Sequence, residues 1–106
     1  MTTIGTFKAQ GNEFSGSICT LTIRANDIRI VPVTRGSENG PSHRVHAGAI
    51  EIGAAWAKRS REGRPYLSVL LDDPSLMSPV YACLLADENG KGHSLLWSRG
   101  KQRDGE

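Results

Sequence analysis

Short stretches in which apolar and polar residues alternate follow one another along the chain, separated by clusters of Gly, Pro, Asn and Asp. Alternation with a period of two marks a strand with one face buried. Thr3–Lys8 reads as an extended segment that ends at the turn pair Gly11-Asn12. Ser15–Arg24 is rich in β-branched residues and sets Cys19, Leu21 and Ile23 on one face, with Thr20, Thr22 and Arg24 on the other. Asn26-Asp27 reads as a tight connection to a second strand, Ile28–Val33, which together make a hairpin. Pro32 has no backbone N–H to give to a ladder, so this strand lies at an edge or stops there.

Arg35–Ser42 is the longest polar, turn-forming run and reads as one surface loop. Residues 47–60 have the alanines of a helix. However, Gly48 and Gly53 interrupt them, and Ile50, Ile52, Ala54, Trp56 and Lys58 fall at period two. With Tyr66–Leu71 beyond a Gly-containing tip, the spacing predicts a β-hairpin whose glycines serve as bulges. Pro74 and Pro79 bracket another loop. Val80–Leu85 and Ser94–Ser98 form a last hairpin around residues 87–92. The whole predicts an all-β fold, a small barrel or sandwich of six to seven antiparallel strands similar to an oligonucleotide-binding fold. It forms a single domain over residues 1–99, followed by a mobile tail at 100–106.

Composition narrows the class. A chain of 106 residues with 38% hydrophobic and 23% charged residues suits one small, marginally stable core with little to spare for a deep pocket. No run approaches the roughly 18–20 apolar residues that cross a bilayer, and Met1–Gly5 has neither part of a secretory signal. These features argue against a membrane protein, a coiled coil and a disulfide scaffold. Cys19 and Cys83 each lie within an apolar run and read as buried free thiols of a cytoplasmic, reducing environment.

Catalytic constellations are scarce. The glycines open no phosphate-binding helix. His43 and His46, three positions apart, point to opposite faces of a strand, and no cysteine pair lies near them, so no metal site is expected. Cys19 and Cys83 sit where strand cores are expected, not on exposed turns beside a base. Asp72-Asp73-Pro74 fits a strand-ending turn. The expectation is a protein without enzymatic activity and without a cofactor.

Charge adds a candidate surface. The net charge is only +2, yet Trp56–Tyr66 holds Lys58, Arg59, Arg61 and Arg64 against the single acid Glu62, and Arg99, Lys101 and Arg103 follow in the tail. Two readings stand for this hairpin. Its cations follow phosphates while Trp56 and Tyr66 stack on bases, or the tip is merely solvated and the two rings pack across the strands into the core. Trp97 divides the same way: sharing a face with Leu95 argues for the core, and an exposed face would make Trp97 and Arg99 a stacking and phosphate pair. Phe7 and Phe14 read as core or turn-packing residues.

Several strings occur in an order that is specific: Thr3-Ile4-Gly5-Thr6-Phe7, Ile30-Val31-Pro32-Val33, Ser37-Glu38-Asn39, Gly53-Ala54-Ala55-Trp56, Arg61-Glu62-Gly63-Arg64, Tyr66-Leu67-Ser68-Val69, Leu71-Asp72-Asp73-Pro74-Ser75 and Leu96-Trp97-Ser98-Arg99. Across positions 3–99 the chain resembles domain-of-unknown-function family 736, small bacterial proteins found mainly in alphaproteobacteria. The resemblance implies a protein of plasmids and integrative elements, encoded near transfer genes, with no enzymatic activity established for the family. The chain departs from the family pattern at His43 and His46, where aromatic residues are common, and at Ala57, where lysine is usual.

The combined expectation is a non-catalytic accessory protein of a mobile genetic element. It binds single-stranded DNA or RNA through Trp56, Lys58, Arg59, Arg61, Arg64, Tyr66, Trp97 and Arg99. The alternative is an anti-defence or conjugation-control module that docks on a protein, through a sheet edge near Pro32 or the basic face. Self-association through an exposed edge strand is a further possibility.

Overall fold

The computed structural model describes residues 2–21, 23–34, 39–88, 90 and 92–97. They form eight strands and no helix: β1 (Thr2–Gln10), β2 (Glu13–Cys19), β3 (Arg24–Pro32), β4 (His43–Ala47), β5 (Ile50–Arg59), β6 (Pro65–Leu71), β7 (Val80–Ala86) and β8 (His93–Trp97). Each strand pairs antiparallel with its successor, and β8 returns to pair with β1, so the sheet closes into a barrel. The order is a plain meander all the way round, unlike the partly open Greek-key barrel of oligonucleotide-binding folds. The additional strand is β4, whose alternation is short and whose only fully buried side chain is Val45. Residues 47–60 hold no helix: a turn at 48–49 leads from the end of β4 into the strand Ile50–Arg59.

Closure consumes every edge among these strands. β3 does end at Pro32, but it lies between β2 and β4, so no sheet edge near Pro32 is open to a partner strand. The last residues of the chain, Arg99 included, lie outside the described region, as does the tail at 100–106.

The lumen is filled, not hollow. Phe7, Ile18, Ile28, Ile30, Val45, Ala55, Val69, Leu84 and Leu95 point inward and are each no more than 3% exposed, and no described polar side chain is buried with them. Each large aliphatic group so buried contributes about 1.5–3 kcal/mol. Phe7 is core, and Phe14 packs against it from the rim.

Three bulges set which side chains face in. Ile4 is an extra residue in β1 where Thr3 faces Leu96 and Gly5 faces Leu95, which lets both Ile4 and Gly5 be buried. Asn26-Asp27 is not a connection but the second bulge, inside β3 opposite β2. Ile52 is the third, since Glu51 faces His46 and Gly53 faces Val45. The extra residue reverses the phase of β5, so Trp56 and Lys58 leave the side that Ile50 and Ile52 occupy.

β2 corrects another expectation. Its one fully buried side chain is Ile18, and the strand ends at Cys19. A turn closed by Thr20 N–H to the Ile23 carbonyl (2.7 Å) and Ile23 N–H to Thr20 Oγ1 (3.1 Å) leaves Leu21 outside. Cys19 is exposed and Cys83 half-buried on the outer wall, both free, so neither is a core thiol.

Two glycines allow the wall to close. A Cβ on Gly16 would overlap the Thr6 carbonyl oxygen and come within 2.8 Å of Phe7 Cα, and one on Gly53 would overlap the Leu70 carbonyl. Gly16→Ala and Gly53→Ala are each expected to destabilise the barrel by about 1–3 kcal/mol. At about 4–8 °C per kcal/mol, Tm in a thermal melt falls by roughly 5–20 °C. Ser68→Ala on the outer wall stays within about 0.5 kcal/mol of the parent.

Candidate nucleic-acid interface

Residues directly opposite each other in an antiparallel pair share a face, so the register maps the outer wall. Lys58 faces Tyr66, Trp56 faces Ser68, and Ala54 faces Leu70 across β5 and β6. Across β6 and β7, Ser68 faces Cys83 and Leu70 faces Tyr81. Their inward neighbours are Ala55, Val69, Ala82 and Leu84. Trp56, Lys58, Tyr66 and Tyr81 are therefore on one outward face, with Trp56 and Tyr66 as diagonal neighbours. Tyr81 is 44% exposed, while Trp56 and Tyr66 are half-buried, each lying against the wall with part of its ring open. The Trp56 indole N–H donates to the Asn39 carbonyl (3.1 Å), which fixes the edge of the ring to the β3–β4 loop.

The β5–β6 turn beyond these rings is tightly held. Ser60 N–H donates to the Arg64 carbonyl and Gly63 N–H to the Ser60 carbonyl, both at 2.9 Å. Gly63 takes a φ of +82°, a conformation that suits a residue without a side chain. Arg59 folds back so that its guanidinium donates to the Gly63 carbonyl (2.8 Å). Arg59 therefore braces the turn, while Lys58, Arg61 and Arg64 are exposed. The described ion pairs are Arg29–Glu13 (3.2 Å) and Arg44–Glu51 (3.4 Å), so none of the hairpin cations is neutralised by a carboxylate among the described residues. On the β7 side, a groove of about 420 Å³ separates Arg64 and Glu62 from Asp87 and Glu88. The basic surface thus stops at an acidic border.

Trp97 does not join this surface. It faces Ala82 and Thr2 on the lumen side, packs against the core, and lies at the barrel end remote from the hairpin. This removes it from a stacking platform with Trp56 and Tyr66. Tyr81, which sequence reasoning passed over, is a third outward ring on this wall, opposite Leu70 and further from the turn than Tyr66. Its alternation with Ala82 and Leu84 already implied an outward side chain.

The lumen below the hairpin end holds two histidines against Phe14: His93 edge-on (ring centroids 4.9 Å apart) and His43 tilted (6.4 Å). Ser42 Oγ lies 2.9 Å from His43 Nδ1 and also bonds the Ala55 carbonyl at 3.3 Å. Burial lowers the His43 pKa below its ordinary 6.5, because the cation is disfavoured away from water. Burial raises the pKa of the Cys83 thiol, with the nearby Lys58 ammonium pulling it the other way. Asp73, hydrogen-bonded by the Ser75 hydroxyl (2.6 Å) and N–H (2.9 Å), has a lowered pKa and closes a strand-ending turn. Among the described residues, no group of three or more His, Cys, Asp or Glu side chains is placed to hold a metal ion. The described residues contain no helix long and apolar enough to cross a membrane.

Fold and surface together define a class: small closed meander barrels that carry a braced basic hairpin beside outward aromatic rings. Residues 3–100 match the family described as protein of unknown function (DUF736), and the chain belongs to it. No curated protein and no solved structure matches the chain.

His43 makes stability pH-dependent. Its folded pKa is lowered, so the unfolded chain takes up the proton first, and the contribution is complete above pH 6.5. It declines as pH falls through that value towards the lower folded pKa. Thermal melts across this range are expected to show the decline, and His43→Phe to flatten it; an unaltered profile in the variant would refute the assignment. A thiol-reactive chromophore should label Cys19 at once and Cys83 slowly, with the second phase collapsing into the first on unfolding.

Proposed function

We propose that this protein is a non-catalytic accessory protein of a mobile genetic element that binds single-stranded nucleic acid on the outer wall of β5–β7. The observation that carries this reading is the row of cations with no carboxylate partner among the described residues, Lys58, Arg61 and Arg64, beside the outward rings of Trp56 and Tyr66, with Tyr81 further along the same wall. Cations track a phosphate backbone, while rings accept bases of any sequence on their faces. Arg59 contributes by holding the turn and adds its charge. Tethering Trp56 to Asn39 lowers the entropy lost when a base stacks on it. Unpaired bases are required, because a base inside a duplex has no free face to offer. The acidic border at Asp87 and Glu88 keeps the nucleic acid off the β7–β8 turn. Such a partner and the free thiols fit the cytoplasm.

Fluorescence anisotropy with a labelled single-stranded oligonucleotide tests this over a salt series. The parent protein should bind with strong salt dependence. Replacing Lys58, Arg61 and Arg64 by Ala should weaken binding and make the log–log salt slope shallower by about 2, at ~0.7 per phosphate contact. Trp56→Ala should lose about 1–3 kcal/mol, roughly 5–150-fold in affinity, and Trp97→Phe should leave affinity unaltered. No binding by the parent protein at low salt would end the proposal.

A further inference from the structure

The barrel end remote from the basic hairpin is unlike the rest of the surface. Leu21 on the β2–β3 turn and Met77 on the β6–β7 loop are 98% and 104% exposed, as accessible as in an extended chain. Between them runs a groove of about 670 Å³ whose apolar lining includes Ile4, Ile23, Leu76, Val80 and Trp97. A second, smaller groove of about 190 Å³ shares Ile23 and Leu76 with it and continues to Ile50 and Ile52, and Ile50 is itself 62% exposed. A single exposed Leu needs no explanation, but a contiguous patch of this kind does.

We infer that a second copy of this chain covers this end, in a two-fold, end-to-end dimer. Two features favour that occupant. A two-fold contact sets one patch against itself, so the patch must carry both projections and recesses; here Leu21 and Met77 project beside the groove they flank. Like charges would also meet their own images across the axis, and among the described residues the larger groove has no charged side chain in its lining, only apolar groups, a thiol and the hydroxyls of Thr2, Thr3, Thr20, Ser75 and Ser78. An apolar centre with an uncharged polar rim is the composition of a homodimer contact. The dimer places its two basic hairpins at opposite ends, both open to solvent. It does not depend on what those hairpins bind.

Light scattering on the eluting full-length protein, at rising concentration, tests the inference. The parent should approach twice 11.5 kDa. Leu21→Glu/Met77→Glu sets four carboxylates around the axis and should run at the single mass with an unchanged circular-dichroism spectrum, since both side chains lie outside the core. The Lys58, Arg61 and Arg64 alanine variant should remain a dimer. A parent that stays at the single mass at every concentration overturns the inference, as does a glutamate variant that still dimerises. A dimer that only the basic-hairpin variant dissociates overturns it too. A monomeric parent whose tryptophan fluorescence shifts with a fatty acid would assign the groove to a small apolar ligand instead.

Discussion

The pairing of β8 with β1 is the constraint on which the structure depends. Once the sheet closes, the strands enclose a volume that one or two side chains from each must fill, and a closed wall leaves no room for error in their size. Phe7 is accommodated because Gly16, opposite it, presents no side chain. β5 comes close to the Leu70 carbonyl because position 53 is also glycine. The bulges at Ile4, Asn26-Asp27 and Ile52 bend strands that would otherwise run too straight to meet. Closure also accounts for the low tolerance of the wall to added atoms compared with its outer face.

Closure separates the outside into distinct regions. The hairpin end collects Lys58, Arg59, Arg61 and Arg64, with Asp87 and Glu88 forming a boundary on one flank. The far end collects Leu21, Met77 and Ile50. Between them, the wall of β5–β7 carries the rings. A net charge of only +2 conceals this arrangement, because the described ion pairs neutralise Arg29 and Arg44 and leave the cations around the β5–β6 turn without a carboxylate among the described residues. Local charge, not the total, sets what such a surface attracts.

The strands were largely legible from alternation, since a half-buried strand leaves a period of two whatever its partners. That signal misses a bulge, however, because the extra residue shifts the phase without changing the composition. The alternation running from Ile50 to Lys58 crosses such a shift at Ile52, so residues that look like one face occupy two. Asn26-Asp27 has turn chemistry but serves within a strand. Cys19, Leu21 and Ile23 alternate beyond the point where β2 stops. Trp97 illustrates a different limit: its link with Leu95 correctly implied the lumen side, but which end of the barrel it occupies depends on closure, a long-range property. The basic hairpin was visible because all its charges are local. Tyr81 joins it only through pairing across β6.

The register that sets Thr2 opposite Trp97 makes the order of hairpins cyclic. A ring of neighbours has no privileged first strand, so the connectivity could be opened at a surface turn and the old ends joined without altering a single strand pair. Such circular permutants would retain the lumen, the wall and both ends while changing only which residues are born first. The architecture is thus indifferent to the point at which its blueprint begins around the circle, and evolution or an engineer could attach a second module at any of its corners.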